Sequence, residues 1–238
     1  MYWFQPGWKM SLFALVMLPT VISLGFWQLS RGAEKRSMEM DYLNQLTALP
    51  VTIDRMEAAK RFQRVRFHGQ FGEEIFLVDN QVHEGRTGYW IVQVFDTTSG
   101  MRLLVNRGFI AAPRRRDELP SVSVPMGRIE LVGTLWPFTG LIPVLDDDAW
   151  PAGWPKRVQR LDVARMAATV GAQALEIRLE PGQPGVETAA PFAKVLSDAK
   201  HMGYAATWFG LALVLTAGYV AFGFKNATGF SKINRHHT

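Results

Sequence analysis

Two uncharged apolar runs, residues 10–29 and 202–224, bracket this chain and restrict what it can become. A helix rises about 1.5 Å per residue, so either run is long enough to cross a hydrocarbon core of about 30 Å. Every Asp and Glu lies between Glu34 and Asp198, and the tails outside the runs carry only Lys9, Lys225, Lys232 and Arg235. The expectation is a membrane protein in which two transmembrane α-helices flank one water-facing domain. Pro19 falls inside the first run, where a membrane helix tolerates it and kinks. A cleaved signal peptide competes for that run, with Lys9 as its basic region. The run is long for a signal peptide and no small-x-small cleavage site follows it, which favours a retained span.

The formal charge of +5 is mostly a property of the tails, because acids and bases nearly cancel between the runs. That balance argues against nucleic-acid binding, which calls for a basic stripe on the folded domain. The chain has no cysteine. It therefore has no C-x-x-C-H site for covalent haem attachment, no thiol redox centre and no thiolate for copper delivery. Two spans put both termini on one side, but charge does not choose the side. Arg31, Lys35, Arg36, Lys194 and Lys200 at the inner ends of the runs offset the basic tails.

Between the runs, residues 30–200 form a region of ordinary single-domain size. Residues 31–46 continue the first helix, with Met38, Tyr42, Leu43 and Leu46 at helical spacing and Pro50 ending it. A strand-rich part follows from Phe62, with Gly69 and Gly72 as bulge or turn positions. Strands are expected at residues 75–82, 89–97, 101–110, 129–136, 158–161 and 174–179, with a hairpin turn at Ser99-Gly100. Asp162 is placed to cap a helix through Val170 that stops at Gly171. Residues 180–191 read as a Pro/Gly-rich connector. Short strands with few helices predict an α+β domain on an antiparallel sheet, a partial barrel being one form of it. No Gly-rich strand–turn–helix fingerprint supports a Rossmann unit.

If the two spans pair antiparallel, the end of the first meets the start of the second. That gathers Trp27, Gln28, Arg31 and Lys35 with Lys200, His201, Tyr204 and Trp208 at one membrane level. Gln28, Arg31 and Lys35 share a helix face, as do His201, Tyr204 and Trp208. Tryptophan and tyrosine belts and snorkelling cations are ordinary at a membrane interface, and that reading covers Trp27, Tyr204, Lys35 and Lys200. His201 stands apart, because imidazole is a common metal and haem ligand and a poor anchor.

Residues 24–35, LGFWQLSRGAEK, resemble the opening motif of the Surfeit-locus family of cytochrome c oxidase assembly proteins (Surf-one and Shy-one), at Gly25, Trp27, Gln28, Arg31 and Lys35. Residues 105–110, VNRGFI, resemble that family's V-N-R-G-aromatic strand, with Phe109 where Trp is commoner. KHMGYAATWFGLA resembles its closing H-x-x-Y-A-x-x-W-F motif at His201, Tyr204, Ala205, Trp208 and Phe209. The resemblance implies a bacterial inner-membrane protein with both termini cytoplasmic and residues 30–200 periplasmic. It further implies a non-enzymatic factor that handles haem a and contacts subunit I of a haem-copper oxidase, with haem a synthase as a further partner. Carried onto this sequence, the haem iron ligand is His201. Tyr204, Trp208 and Trp27 would pack on the macrocycle, and Gln28 and Arg31 would add polar contacts. The propionates could pair with Arg31, Lys35 or Lys200.

Two rivals stand beside this reading. One is a scaffold that stabilises an oxidase assembly intermediate without holding haem. The other is a membrane-anchored hydrolase, for which no G-x-S-x-G or H-E-x-x-H motif speaks. Asn106 and Arg107 are expected to serve a strand–turn network ending at Gly108. Arg114–Arg116 reads as a solvated loop and Asp146–Asp148 as an exposed acidic turn. His236-His237 belongs to a tail spanning residues 225–238, and His68 and His83 lack ligand-like neighbours at close spacing.

Overall fold

The computed structural model describes residues 4–53, 60–115, 117–137, 150–189 and 197–233, with side chains to residue 227 at the carboxyl end. Asp146–Asp148, Arg116, Lys194 and His236-His237 lie outside the described residues. The chain divides into a sheet unit, Met40–Phe192, and a helical unit made of Met1–Glu39 with Ala193–Thr238.

In the helical unit, helix α1 (Trp8–Leu46, of which residues 8–39 belong here) and a last helix, Ala199–Ile233, are each long and apolar enough to span a bilayer. Only 17% and 11% of their most apolar windows are buried. Core helices of a water-soluble protein hide a wide apolar stripe, whereas these expose Leu12, Leu15, Phe26, Leu213 and Val214. Both features fit a membrane protein.

The sheet unit contains β1 (Val51–Thr52), β2 (Arg64–His83), β3 (Arg86–Thr97), β4 (Arg102–Ala111), β5 (Ile129–Trp136), β6 (Lys156–Val158), α2 (Val163–Val170) and β7 (Glu176–Leu179). The last helix, Ala199–Ile233, is α3. Pairing runs β2–β3–β4–β7–β5 and returns to β2, a closed circuit. The length of β2 makes that return possible. Its first part, from Arg64, pairs with β5, and its remainder pairs with β3. Gly69 is shared, opposite both Ile129 and Thr97. A Cβ at Gly69 would lie 2.0 Å from the Asp96 carbonyl, so only glycine admits that close backbone approach.

Three expectations need correction. The strand-rich part beginning at Phe62 and the strand at residues 75–82 are one continuous strand, because a register shift between Phe71 and Ile75 absorbs Gly72 without ending the ladder. The sheet is mixed: β1–β2, β2–β6 and β4–β7 are parallel, while the hairpins and the β5 pairings are antiparallel. β7 can run parallel to β4 because the chain between them contains a helix and has length for a crossover. β6 also begins and ends earlier than the expected residues 158–161, since Arg160 already belongs to the turn into α2.

Burial follows the period of two that strands impose. On β4, Leu103 and Val105 enter a core with Val65, Phe67, Phe95, Leu131, Leu135, Ile177 and Leu179, drawn from all five strands of the circuit. Leu104 faces the opposite way, into Phe76, Val78, Val92 and Val94, where α2 packs through Met166, Ala167 and Val170. With both faces covered, β4 reads as a continuous apolar run. α2 is capped as expected: Asp162 Oδ1 accepts from the Arg165 N–H at 3.1 Å, and Gly171 takes φ 67°.

Residues 40–46 of α1 belong to the sheet unit and are tied down there. Tyr42 packs edge-on against Phe62 and Trp136, 5.7 and 6.2 Å between ring centres. Arg64 makes a two-pronged pair with Glu180 at 2.6 and 2.8 Å, and donates to the Leu46 and Ala48 carbonyls at the helix end. One guanidinium thus satisfies orphan carbonyls at a helix carboxyl end and a carboxylate just beyond β7. Arg64→Ala is expected to destabilise this unit by about 1.5–3 kcal/mol. An unshifted unfolding midpoint of the detergent-purified chain would show these bonds to be idle.

Candidate functional site

α1 packs against α3 through small residues. Ala14, Val21, Gly25 and Gly32 are the buried positions of α1, seven, four and seven residues apart, so they form one stripe. Ala205 and Ala212 are buried on α3. Small residues let membrane helices approach closely, where packing rather than water exclusion drives association. A Cβ at Gly25 would lie 2.8 Å from the Phe209 ring, and Phe209 is itself held edge-on by Phe26. At the far end Ser11 Oγ meets Tyr219 Oη at 2.9 Å, and the Gln5 N–H donates to the Gly223 carbonyl. Contacts climb α3 as they descend α1, so the pair is antiparallel.

Gly25→Val is therefore expected to part the helices. The chain has no cysteine, so a cross-link between cysteines placed at Ser11 and Tyr219 reports the pairing cleanly. Its yield should fall several-fold when Val replaces Gly25, and an unchanged yield would contradict the small-residue contact.

At the other end of the pair, His201 Nδ1 lies 2.8 Å from Gln28 Oε1, and both side chains are half-buried. A Cβ at Gly32 would sit 3.5 Å from His201 Cβ, so the glycine leaves room beside the ring. Among the described residues, His201 Nε2 has no hydrogen-bond partner. One step outward, Arg36 of α1 pairs at 3.3 Å with Asp198, the residue just before α3.

The structure brings Gln28 and His201 together and distributes the rest around them. Trp208 is half-buried, on the flank of the α3 stripe. Tyr204 and Trp27 are 58% and 52% exposed, facing outward from the pair. Arg31 is also on the outside, bonded to Glu34 on its own helix at 2.8 Å. Helical geometry accounts for this: a residue three positions from His201 is turned some 60° from it, away from Ala205. Lys200 is exposed, and Lys35 makes a contact of its own. Sequence reasoning did not find the Arg36–Asp198 pair or the glycine stripe. The seven-residue spacing of Gly25 and Gly32 was the available signal for the stripe.

The other polar centre of the chain lies inside the sheet unit. Asn106 Nδ2 donates to Glu176 Oε1 at 2.7 Å, and its Oδ1 accepts from the Gly108 N–H at 2.9 Å. Arg178 reaches the same carboxylate at 2.7 Å, its guanidinium lying 4.0 Å from the Trp136 ring centre and 4.9 Å from that of Trp90. Arg107, 2% exposed, donates to Gln93 Oε1 and to the Gly185 and Ser123 carbonyls. Burial pushes its pKa down to about 10, with Glu187 acting in the opposite sense, so it stays cationic at neutral pH. The expected network ending at Gly108 is present and extends well beyond it. Within β4 Asn106 bonds Gly108 locally, and Asn106 and Arg107 reach residues 14 to 78 positions away. Arg115 is exposed and paired with Asp117 and Glu118, as a solvated loop would be. His68 pairs with Glu130, and His83 packs on Phe109.

The chain is similar to known proteins over most of its length. The model of the SURF1 family matches residues 15–213, which takes in the Gln28–His201 pair and all of the sheet. A SURF1-like protein of Rickettsia felis is 28% identical over 230 residues, covering 90% of this chain and 96% of the relative. Surfeit locus protein 1 of Takifugu rubripes is 27% identical over 232 residues, covering 84% and 90%. Surfeit locus protein 1 of Mus musculus is 26% identical over 225 residues, covering 84% and 71%. With one family model running from within α1, through the domain, to within α3, this chain belongs to the SURF1 family.

Proposed function

We propose that this protein is an assembly factor for a haem-copper cytochrome c oxidase, working by transient binding of haem a and its transfer toward subunit I. The observation that carries the reading is His201, paired with Gln28 through Nδ1 while Nε2 remains unengaged where two helices begin to pair. A porphyrin supplies four nitrogens to its iron, so a single imidazole is enough to hold it axially. Among the described residues, no three His, Cys, Asp or Glu side chains gather to cage a metal ion. The donor set therefore fits a ligand that brings most of its own coordination. Trp208, Tyr204 and Trp27 offer aromatic surface on the same level, and Lys200 and Arg31 offer cations for propionates. A single protein ligand suits a carrier, which must release its cargo.

In this reading the protein sits in a bacterial inner membrane, both termini are cytoplasmic, and the sheet unit is periplasmic. Haem a synthase is the natural donor of the cargo. The test is deletion of the gene, followed by assay of oxidase activity and haem a content in membranes. Loss of active haem-copper oxidase with an intact cytochrome bc complex is expected, and full oxidase activity in the deletion strain would contradict the assignment. The scaffold alternative predicts the same loss, but with purified protein that never carries haem.

A further inference from the structure

We propose that Gln28 is a positioning residue for His201, holding the imidazole in the tautomer with its proton on Nδ1 so that Nε2 presents its lone pair. The usefulness of that lone pair rests on the ligand reading above, while the tautomer itself does not. Gln28 Oε1 lies 2.8 Å from Nδ1, and a carbonyl oxygen accepts but never donates, so the ring nitrogen donates. A neutral imidazole has one N–H, and placing it on Nδ1 leaves Nε2 bare. The opposite tautomer would set two lone pairs against each other at the same distance.

The setting reinforces the choice. Gln28 lies between Gly25 and Gly32 on the stripe that packs against α3, and the glycines admit the Phe209 ring at one end and the His201 and Met202 side chains at the other. The hydrogen bond is therefore made across a packed helix contact, where a low dielectric strengthens it. A metal-binding histidine is generally oriented by what its other nitrogen donates to. Where that partner is a carboxylate, its charge makes the ligand more basic. A neutral amide orients the ring without that added donor strength, which suits an iron that has to leave. Neither side chain makes any other hydrogen bond among the described residues, so the two are dedicated to each other.

The test uses the full chain in detergent, labelled with 15N-histidine and free of ligand. There are five histidines, and the His201→Ala spectrum identifies the signal of His201 by difference. The proposal predicts the Nδ1–H tautomer in the wild type and in Gln28→Glu, whose carboxylate only accepts. In Gln28→Leu the tautomer ratio should move toward Nε2–H by about tenfold, the weight of one ordinary hydrogen bond. A wild-type ring protonated at Nε2, as an amide donating to Nδ1 would produce, overturns the proposal. So does an unchanged ratio in Gln28→Leu whose Ser11–Tyr219 cross-link shows the helices still paired. Titration with haem a then addresses the site: Gln28→Leu should bind about 10–100-fold more weakly, and Gln28→Glu no more weakly than wild type. Tautomers that follow Gln28 in protein that binds no haem would uphold the positioning role and sink the ligand reading alone.

Discussion

Glu176→Ala is expected to cost about 3–5 kcal/mol and to leave little of the sheet unit folded. Glu176 and Arg178 are each 5% exposed at the side chain and meet at 2.7 Å. Removing the carboxylate leaves a guanidinium stacked between Trp90 and Trp136 with its charge uncompensated, and strips Asn106 of its acceptor. The loss is large because it leaves a buried charge alone, rather than because the pair is strongly attractive. Glu176→Gln should lose less, since an amide oxygen can still accept from Asn106 and Arg178. Tryptophan fluorescence during denaturation checks both, as Trp90 and Trp136 are neighbours of the altered charge. A Glu176→Ala midpoint equal to that of the wild type would show the network to be dispensable.

The second large effect is expected at Gly108. Its φ is 93°, and a Cβ there would lie 2.0 Å from the Thr188 carbonyl oxygen, which accepts the Phe109 N–H at 2.7 Å. Gly108→Val combines a β-branched residue at positive φ, worth about 1–3 kcal/mol of strain, with a collision against backbone. Residue 188 would have to withdraw and forfeit its bond, adding about 1 kcal/mol. The expected total is about 2–4 kcal/mol, and Gly108→Ala should be nearly as poor because the clash begins at Cβ. Limited proteolysis of the full chain should show faster cleavage near residue 188. Unaltered protection would refute the close approach.

These two sites explain a motif that residue types alone left ambiguous. An asparagine and an arginine standing together on a strand can signal chemistry, against which the expectation for VNRGFI was a structural network ending at Gly108. In the fold, Asn106 fixes β4 to β7 through Glu176, Arg107 fastens the segments at Ser123 and Gly185, and Gly108 admits Thr188. The work is structural, with partners distant in sequence, which is why spacing could not reveal it. The two long apolar helices, the strands and the α2 caps were legible because their signals are local: apolar length, alternation, Asp162 and Gly171. The mixed sheet was not, since parallel pairing of β4 with β7 depends on where a crossover lands. At the helix pair, helical spacing gathered the candidate residues near one end of the pair. It could not rank the residues there, because a turn of some 60° separates a side chain facing the partner helix from one facing outward. Gln28 and His201 fall on the inward side, and Tyr204, Trp27 and Arg31 on the outward one.

The reading therefore narrows to one imidazole. Its most direct measurement is the absorption spectrum of the full chain, purified in detergent from cells that make haem a. The account predicts haem a absorbance in the wild type and loss of most of it in His201→Ala, with the denaturation midpoint of the sheet unit unmoved. Wild-type protein without haem absorbance, or His201→Ala protein that keeps it unchanged, would contradict the account.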